Sequence, residues 1–179
     1  QGLFFPEVAD PQRVVYHFDA EIESVFTTTI ERLRDFQYAR YIPLLFLKKK
    51  LSAFEEQQQR NVGGFMKGIM IKRLESSFFA FKNTLGRFVK SYEQFIEMFD
   101  DGTVYIGKDV NIFDLLERDD DEEIQRLLNE DKLRQFPAAD FEPIYRKMLQ
   151  ADLIMLREIL ALWAPVTADP KLDQFVQEL

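Results

Sequence analysis

Residues 71–81, IKRLESSFFAF, lie inside an apolar pattern that the sequence carries without a proline from residue 62 to residue 99. Its apolar members are Val62, Phe65, Met66, Ile69, Met70, Leu74, Phe78, Phe81, Leu85, Phe88, Tyr92, Phe95, Ile96 and Phe99. Every step between them is one, three or four residues, the spacing of one helical face. The pattern therefore predicts a single unbroken helix of 38 residues over 62–99, closed by the turn chemistry of Asp100-Asp101-Gly102. The expected fold class is all-α: a helical bundle around this one long central helix, with at most a minor two-stranded β element. Phe78, Phe81, Leu85 and Phe88 should be buried in it.

The flanking sequence is read in the same way. Residues 1–11 contain two prolines and little periodicity, and read as an extended lead-in. Val14-Val15-Tyr16-His17-Phe18 is β-branched and aromatic, which predicts a short strand, with Thr103-Val104-Tyr105-Ile106-Gly107 as its partner. Asp19 is placed to cap a helix over 20–36, and a second helix is predicted from Tyr38 to Gln58 with Pro43 in its first turn or kinking it. Short helices are predicted over 111–116 and 121–129. A long amphipathic helix follows over 141–163, stopped by Pro165. A last helix is predicted over 171–179, with Asp169 as cap and Pro170 at its first position. The chain reads as one domain over 1–179: a lead-in over 1–18, the long-helix core over 19–100, an acidic connector over 101–139 and C-terminal helices over 140–179.

Composition bounds the chemistry. The 179 residues suffice for a real core, and 18 Phe make that core aromatic-rich. The absence of cysteine excludes disulfides, thiolate metal sites and a cysteine nucleophile; the single His17 cannot build a multi-histidine site and is expected to be packed or hydrogen-bonded. No membrane-length apolar run and no signal-peptide pattern is visible, so a cytoplasmic monomer is expected. The net charge of −8 is unevenly spread. Residues 40–92 hold 11 Lys/Arg against Glu55, Glu56 and Glu75, whereas residues 109–131 hold ten acids against Arg118 and Arg126. Such a division fits either a nucleic-acid face beside a solvated face, or two halves that compensate each other within one fold.

Phosphate-binding loops of the GxxxxGK[ST] or GxGxxG type are absent. Gly63-Gly64 reads as a close approach between helix backbones. The run Asp119–Glu123 lacks the interleaved ligands of a hard-cation loop and reads as a solvated helix start, so no metal is expected. Ser76 and Ser77 have neither a nearby histidine nor elbow glycines, and no catalytic residue is assigned. On one continuous helix, Lys72, Ser76, Asn83, Arg87 and Lys90 would fall in a narrow polar stripe opposite the apolar one. Lysine, arginine and small hydrogen-bond donors are what phosphate-backbone contact needs, although a solvated face has the same composition. Lys48, Lys49 and Lys50 form an accessory basic cluster.

Arg73–Phe88, RLESSFFAFKNTLGRF, resembles a helix of bacterial superfamily II DNA helicases of the Swi/Snf-like type, where it belongs to a helical insert between two RecA-like ATPase lobes. Asn61–Lys67, NVGGFMK, fits the same pattern. Gly2-Leu3-Phe4-Phe5-Pro6 with Arg13-Val14-Val15-Tyr16 is similar to the stretch that leaves the first lobe. Asp169-Pro170-Lys171-Leu172-Asp173 with Phe175 and Leu179 is similar to the lead-in to the second lobe. Residues 109–138 match no part of that family's pattern. The resemblance implies a non-catalytic element of an ATP-dependent helicase or translocase, with ATP and magnesium held by lobes outside this sequence. Its implied partners are those lobes and double-stranded DNA, with no membrane. The rival class is a stand-alone helical module that binds another protein.

Overall fold

The computed structural model describes residues 15–107 and 133–177, and it is mainly helical with one small antiparallel strand pair. Helix α1 spans Ala20–Asp35, α2 Ala53–Ser76, α3 Phe78–Asp100, α4 Pro143–Trp163 and α5 Pro170–Gln177. Strand β1, Thr103–Gly107, pairs with β2, Leu133–Pro137, in the register Thr103↔Pro137 to Gly107↔Leu133.

The first four helices form an up–down–up–down bundle, which cross-links along its length define. Thr29 of α1 meets Trp163, and Arg32 pairs with Glu158, so α1 runs against α4. Phe78 packs on Trp163 while Asp100 pairs with Arg146, so α3 also runs against α4. Helix α2 starts beside β2, where Glu55 meets Arg134, and by Lys67 it has reached the end of α1 at Arg34. It therefore runs opposite to α1 and α3.

The predicted 38-residue helix is thus two antiparallel helices folded back at one residue. Ser77 is extended, with φ −158° and ψ 134°, and its hydroxyl accepts from the Ala80 N–H at 3.3 Å to cap α3. A side-chain cap of this kind offers the backbone an alternative to continuing the helix. The apolar period runs through the reversal because both helices turn the same kind of stripe toward one core. Phe78, Phe81, Leu85 and Phe88 are all buried, as the pattern predicts.

Other boundaries also differ from expectation. Residues 15–18 carry no strand; β1 pairs instead with β2, which the sequence reading placed in the connector. In place of a helix over 38–58 the chain makes two short 3-10 turns, Ala39–Tyr41 and Pro43–Phe46, then a bend, before α2 opens at Ala53. There Ser52 and Glu55 form a reciprocal capping box, the Ser52 hydroxyl accepting from the Glu55 N–H at 3.2 Å. Tyr38 takes φ +57°, a left-handed backbone that stops any helix from starting at that residue. Asp19 caps α1 as expected, accepting from the Ile22 N–H at 2.8 Å. Pro143, at the first position of α4, sets its start two residues later than predicted. The short helices predicted over 111–116 and 121–129, and the acidic run 119–123, lie outside the described residues.

The core is aromatic throughout. Phe78 and Phe81 both meet Trp163 edge-on, and the Trp163 indole N–H donates to Thr29 Oγ1 at 2.8 Å. At the other end Tyr145 stacks between Phe46 and Phe141. Such paired rings add about 0.5–1.5 kcal/mol each beyond the area they bury.

Candidate functional site

The reversal at Ser77 decides what becomes of the polar stripe. A rotation of about 100° per residue holds only along one helix axis. Asn83, Arg87 and Lys90 remain one row on α3, and Lys72 and Ser76 one pair on α2, but the two sets sit on antiparallel helices. Lys72, Ser76, Asn83 and Lys90 are exposed and Arg87 is half-buried beside Thr84. The structure brings these residues together in two groups, not in one continuous stripe. Lys48, Lys49 and Lys50 are exposed at the far end, before α2 begins.

Much of the positive charge has a structural use. Lys67 Nζ donates to the Arg34 carbonyl in the last turn of α1, and Lys171 Nζ to the Glu75 carbonyl in the last turn of α2, both at 3.0 Å. Lys82 Nζ reaches the Val166 carbonyl at 2.8 Å, just past α4. Cations at helix C-termini satisfy orphan carbonyls and oppose the negative end of the dipole. Arg157–Glu93 and Arg146–Asp100 tie α3 to α4. Hydrogen bonding from Arg146 holds the Asp100 carboxyl below the usual carboxylate range. Within these elements the basic and acidic residues compensate each other.

The most elaborate polar site is one that sequence reading missed. Asp152, on α4, is 1% exposed. Its Oδ1 accepts from the Gln37 N–H at 2.9 Å; its Oδ2 accepts from the Ala39 N–H and from the Tyr92 hydroxyl, each at 2.9 Å. The Tyr92 oxygen in turn accepts from the Arg40 N–H at 3.3 Å. One carboxylate thereby fixes the 37–41 turn from across the bundle. Burial pushes the Asp152 carboxyl up, against the lowering effect of those donors, and pushes the Tyr92, Tyr38 and Tyr145 phenols up as well. Tyr41 is raised to about 12 by the same cause. The Arg40 guanidinium lies over the Phe95 ring, 4.3 Å from its centroid. A sequence signal existed: Asp152 interrupts the apolar stripe of α4 between Leu149 and Leu156, where a solvated acid does not belong.

A second site joins the helix reversal to the last helix. Asp169 Oδ2 accepts from the Phe78 N–H at 3.1 Å and from the Ser77 hydroxyl at 3.3 Å, while Oδ1 accepts from the Leu172 N–H at 3.4 Å. Asp169 thus caps α5, as the sequence predicts, and also the start of α3.

The remaining sequence readings resolve simply. His17 is exposed, not packed, because no strand encloses it. A Cβ at Gly63 would come within 3.2 Å of the Ile42 side chain, and one at Gly64 would meet nothing, so the pair is no approach of two backbones. Among the described residues there is no group of three metal-ligating side chains. No helix among them is long and apolar enough to cross a membrane.

Comparison of the chain with models of known families, with curated proteins and with solved structures finds no match in any of the three.

Proposed function

We propose that this chain is a non-catalytic helical domain of an ATP-dependent DNA helicase or translocase, set between two ATPase lobes that it couples mechanically. The sequence resemblance supplies the class. The observation that supports it is the convergence of entry and exit on one residue. Phe18, where the described chain enters, packs its ring 5.6 Å from that of Phe78. Asp169, which leads into the last helix, bonds the Phe78 backbone. A domain inserted into another polypeptide needs its two connections close together. The RLESS segment forms the seat of this junction: Leu74 is buried, the Glu75 carbonyl accepts from Lys171, and the Ser77 hydroxyl donates to Asp169.

In this reading the bundle holds no nucleotide, and its part in DNA contact falls to Lys72 and Ser76 on α2 and to Asn83, Arg87 and Lys90 on α3. Such contact is to phosphates and is insensitive to base sequence. The test uses the chain together with the polypeptide that flanks it in its gene. Replacing Lys72 and Lys90 by Ala should lower DNA-stimulated ATP hydrolysis and make its remaining loss with salt shallower, leaving unstimulated turnover unchanged. Flanks without ATPase activity would overturn the helicase reading. Unchanged stimulation in the variant would remove the DNA-contact role and leave the coupling role.

A further inference from the structure

Helix α4 is packed on one side and bare on the other. Its buried residues, from Tyr145 to Trp163, face α1 and α3. Eight of its residues are exposed. Six of these, Ile144, Lys147, Ala151, Ile154, Glu158 and Ala161, recur at alternating steps of three and four without a break. The other two have their own explanations: Pro143 opens the helix, and Arg157 pairs with Glu93 of α3. Alternating steps of three and four make a seven-residue repeat, the seam along which two helices pair. Four of the six positions are apolar, and Ile144 and Ile154 stand 53% and 48% exposed there. Met148, Met155 and Leu162, partly buried, line one edge of the seam.

We propose that this face pairs with itself: α4 of a second copy of the chain lies antiparallel upon it, about a two-fold axis. The order of the residues carries the inference. An axis midway between Asp152 and Leu153 sets Ile144 opposite the partner's Ala161, Ala151 opposite the partner's Ile154, and Lys147 opposite the partner's Glu158. The symmetry makes each of these contacts occur twice. Each isoleucine meets an alanine, large against small, as knobs entering holes require. Each lysine meets a glutamate, and no like charges meet. A parallel pairing would instead set Lys147 on its own copy and Glu158 on its own copy. Glu158 already meets Arg32 of α1, but its side chain stays 51% exposed and within reach of a second cation. The seam is ~26 Å long and one helix wide, at the small end of specific interfaces. The pair is therefore weak, and the monomer expected from the sequence gives way to a dimer as concentration rises. The inference stands apart from the helicase reading, because it uses neither the basic residues of α2 and α3 nor the ends of the chain.

The test is sedimentation of the full 179-residue chain from about 1 µM to about 1 mM, the range that brackets a weak dissociation constant. The parent should pass from monomer to dimer mass within that range. Ile154→Glu should hold it at monomer mass, whereas Phe54→Ser, at an exposed apolar residue on α2, should change nothing. Lys147→Glu turns two attractions into two repulsions and should weaken the dimer about tenfold. Adding Glu158→Lys to that variant reverses both charges, keeps the net charge of the chain, and should restore association to within about fivefold of the parent. All of these positions are exposed, and circular dichroism with a cooperative melt checks that each variant keeps the fold. Should Ile154→Glu alter the fold, Ala151→Glu repeats the test at the facing position. Monomer mass throughout for the parent, a dimer that Ile154→Glu leaves intact, or a double reversal no better than Lys147→Glu alone would each overturn the proposal.

Discussion

Tyr92 and Asp152 face each other across the bundle with 2.9 Å between hydroxyl and carboxylate, although 60 residues separate them in the chain. Their contact ties α3 to α4, and through Asp152 to the turn that follows α1. Removing either side should have unequal results. Tyr92→Phe loses one hydrogen bond to a charged acceptor, about 1.5–3 kcal/mol, and the weaker bond at 3.3 Å from the Arg40 N–H. Asp152→Ala leaves the Gln37 and Ala39 N–H groups and the Tyr92 hydroxyl without an acceptor, at about 1–3 kcal/mol for each group left unsatisfied. Urea denaturation of the two variants should therefore rank Asp152→Ala as clearly the less stable.

The same carboxylate has a signed dependence on pH. Burial raises the Asp152 pKa above its ordinary 3.8, so its contribution to stability is full below the unfolded value and is lost as pH rises through the folded one. Asp100 behaves oppositely: its lowered pKa makes its contribution full above the unfolded value and lost as pH falls through the folded one. Thermal melts at stepped pH should show the deficit of Asp152→Asn relative to the parent growing as pH falls from neutral. The deficit of Asp100→Asn should hold over that range and shrink only as pH falls below the ordinary 3.8.

Phe81 is fully buried against Trp163. Phe81→Ala should cost about 3–5 kcal/mol, the usual cost of truncating a large core aromatic. Phe79→Ala, two residues away but 70% exposed, should cost under about 0.5 kcal/mol. Equal losses in chemical denaturation would contradict the assignment of the buried face.

Asp169→Ala should release α5 without unfolding the bundle, because the three groups it accepts from sit at the starts of α3 and α5. Loss of a helix cap costs about 0.5–2 kcal/mol. Hydrogen exchange should quicken in residues 170–177 and at Phe78, while the amides of α4 keep their protection. Ser77→Ala should have a smaller effect of the same kind, since Asp169 still accepts from Phe78.

The apolar period made the helical class and the buried face of α3 legible in the sequence, and Asp19 and Asp169 announced their helices through capping chemistry. The reversal at Ser77 was hidden because periodicity reports which side of a helix is buried and carries no information about direction. A chain that folds back onto the same core keeps its phase. The turns over 39–46 were hidden for another reason. They are held from outside by Asp152, more than 100 residues away, and by a left-handed Tyr38 that no local propensity announces. Of the basic residues, the sequence identified the type but neither the grouping nor the half-burial of Arg87. The grouping depends on which of the two antiparallel helices each occupies.

The meeting of Phe18 and Asp169 at Phe78 has a mechanical consequence. Tension applied across the two ends of the chain enters the bundle at a single corner, in an unzipping geometry. It loads one ring contact and one carboxylate–amide bond before it strains the long helix interfaces in shear. Pulled in that way, the chain should first peel away α5 and the residues before α1 at low force. The four-helix body should remain intact as a stiff spacer between whatever its ends are attached to.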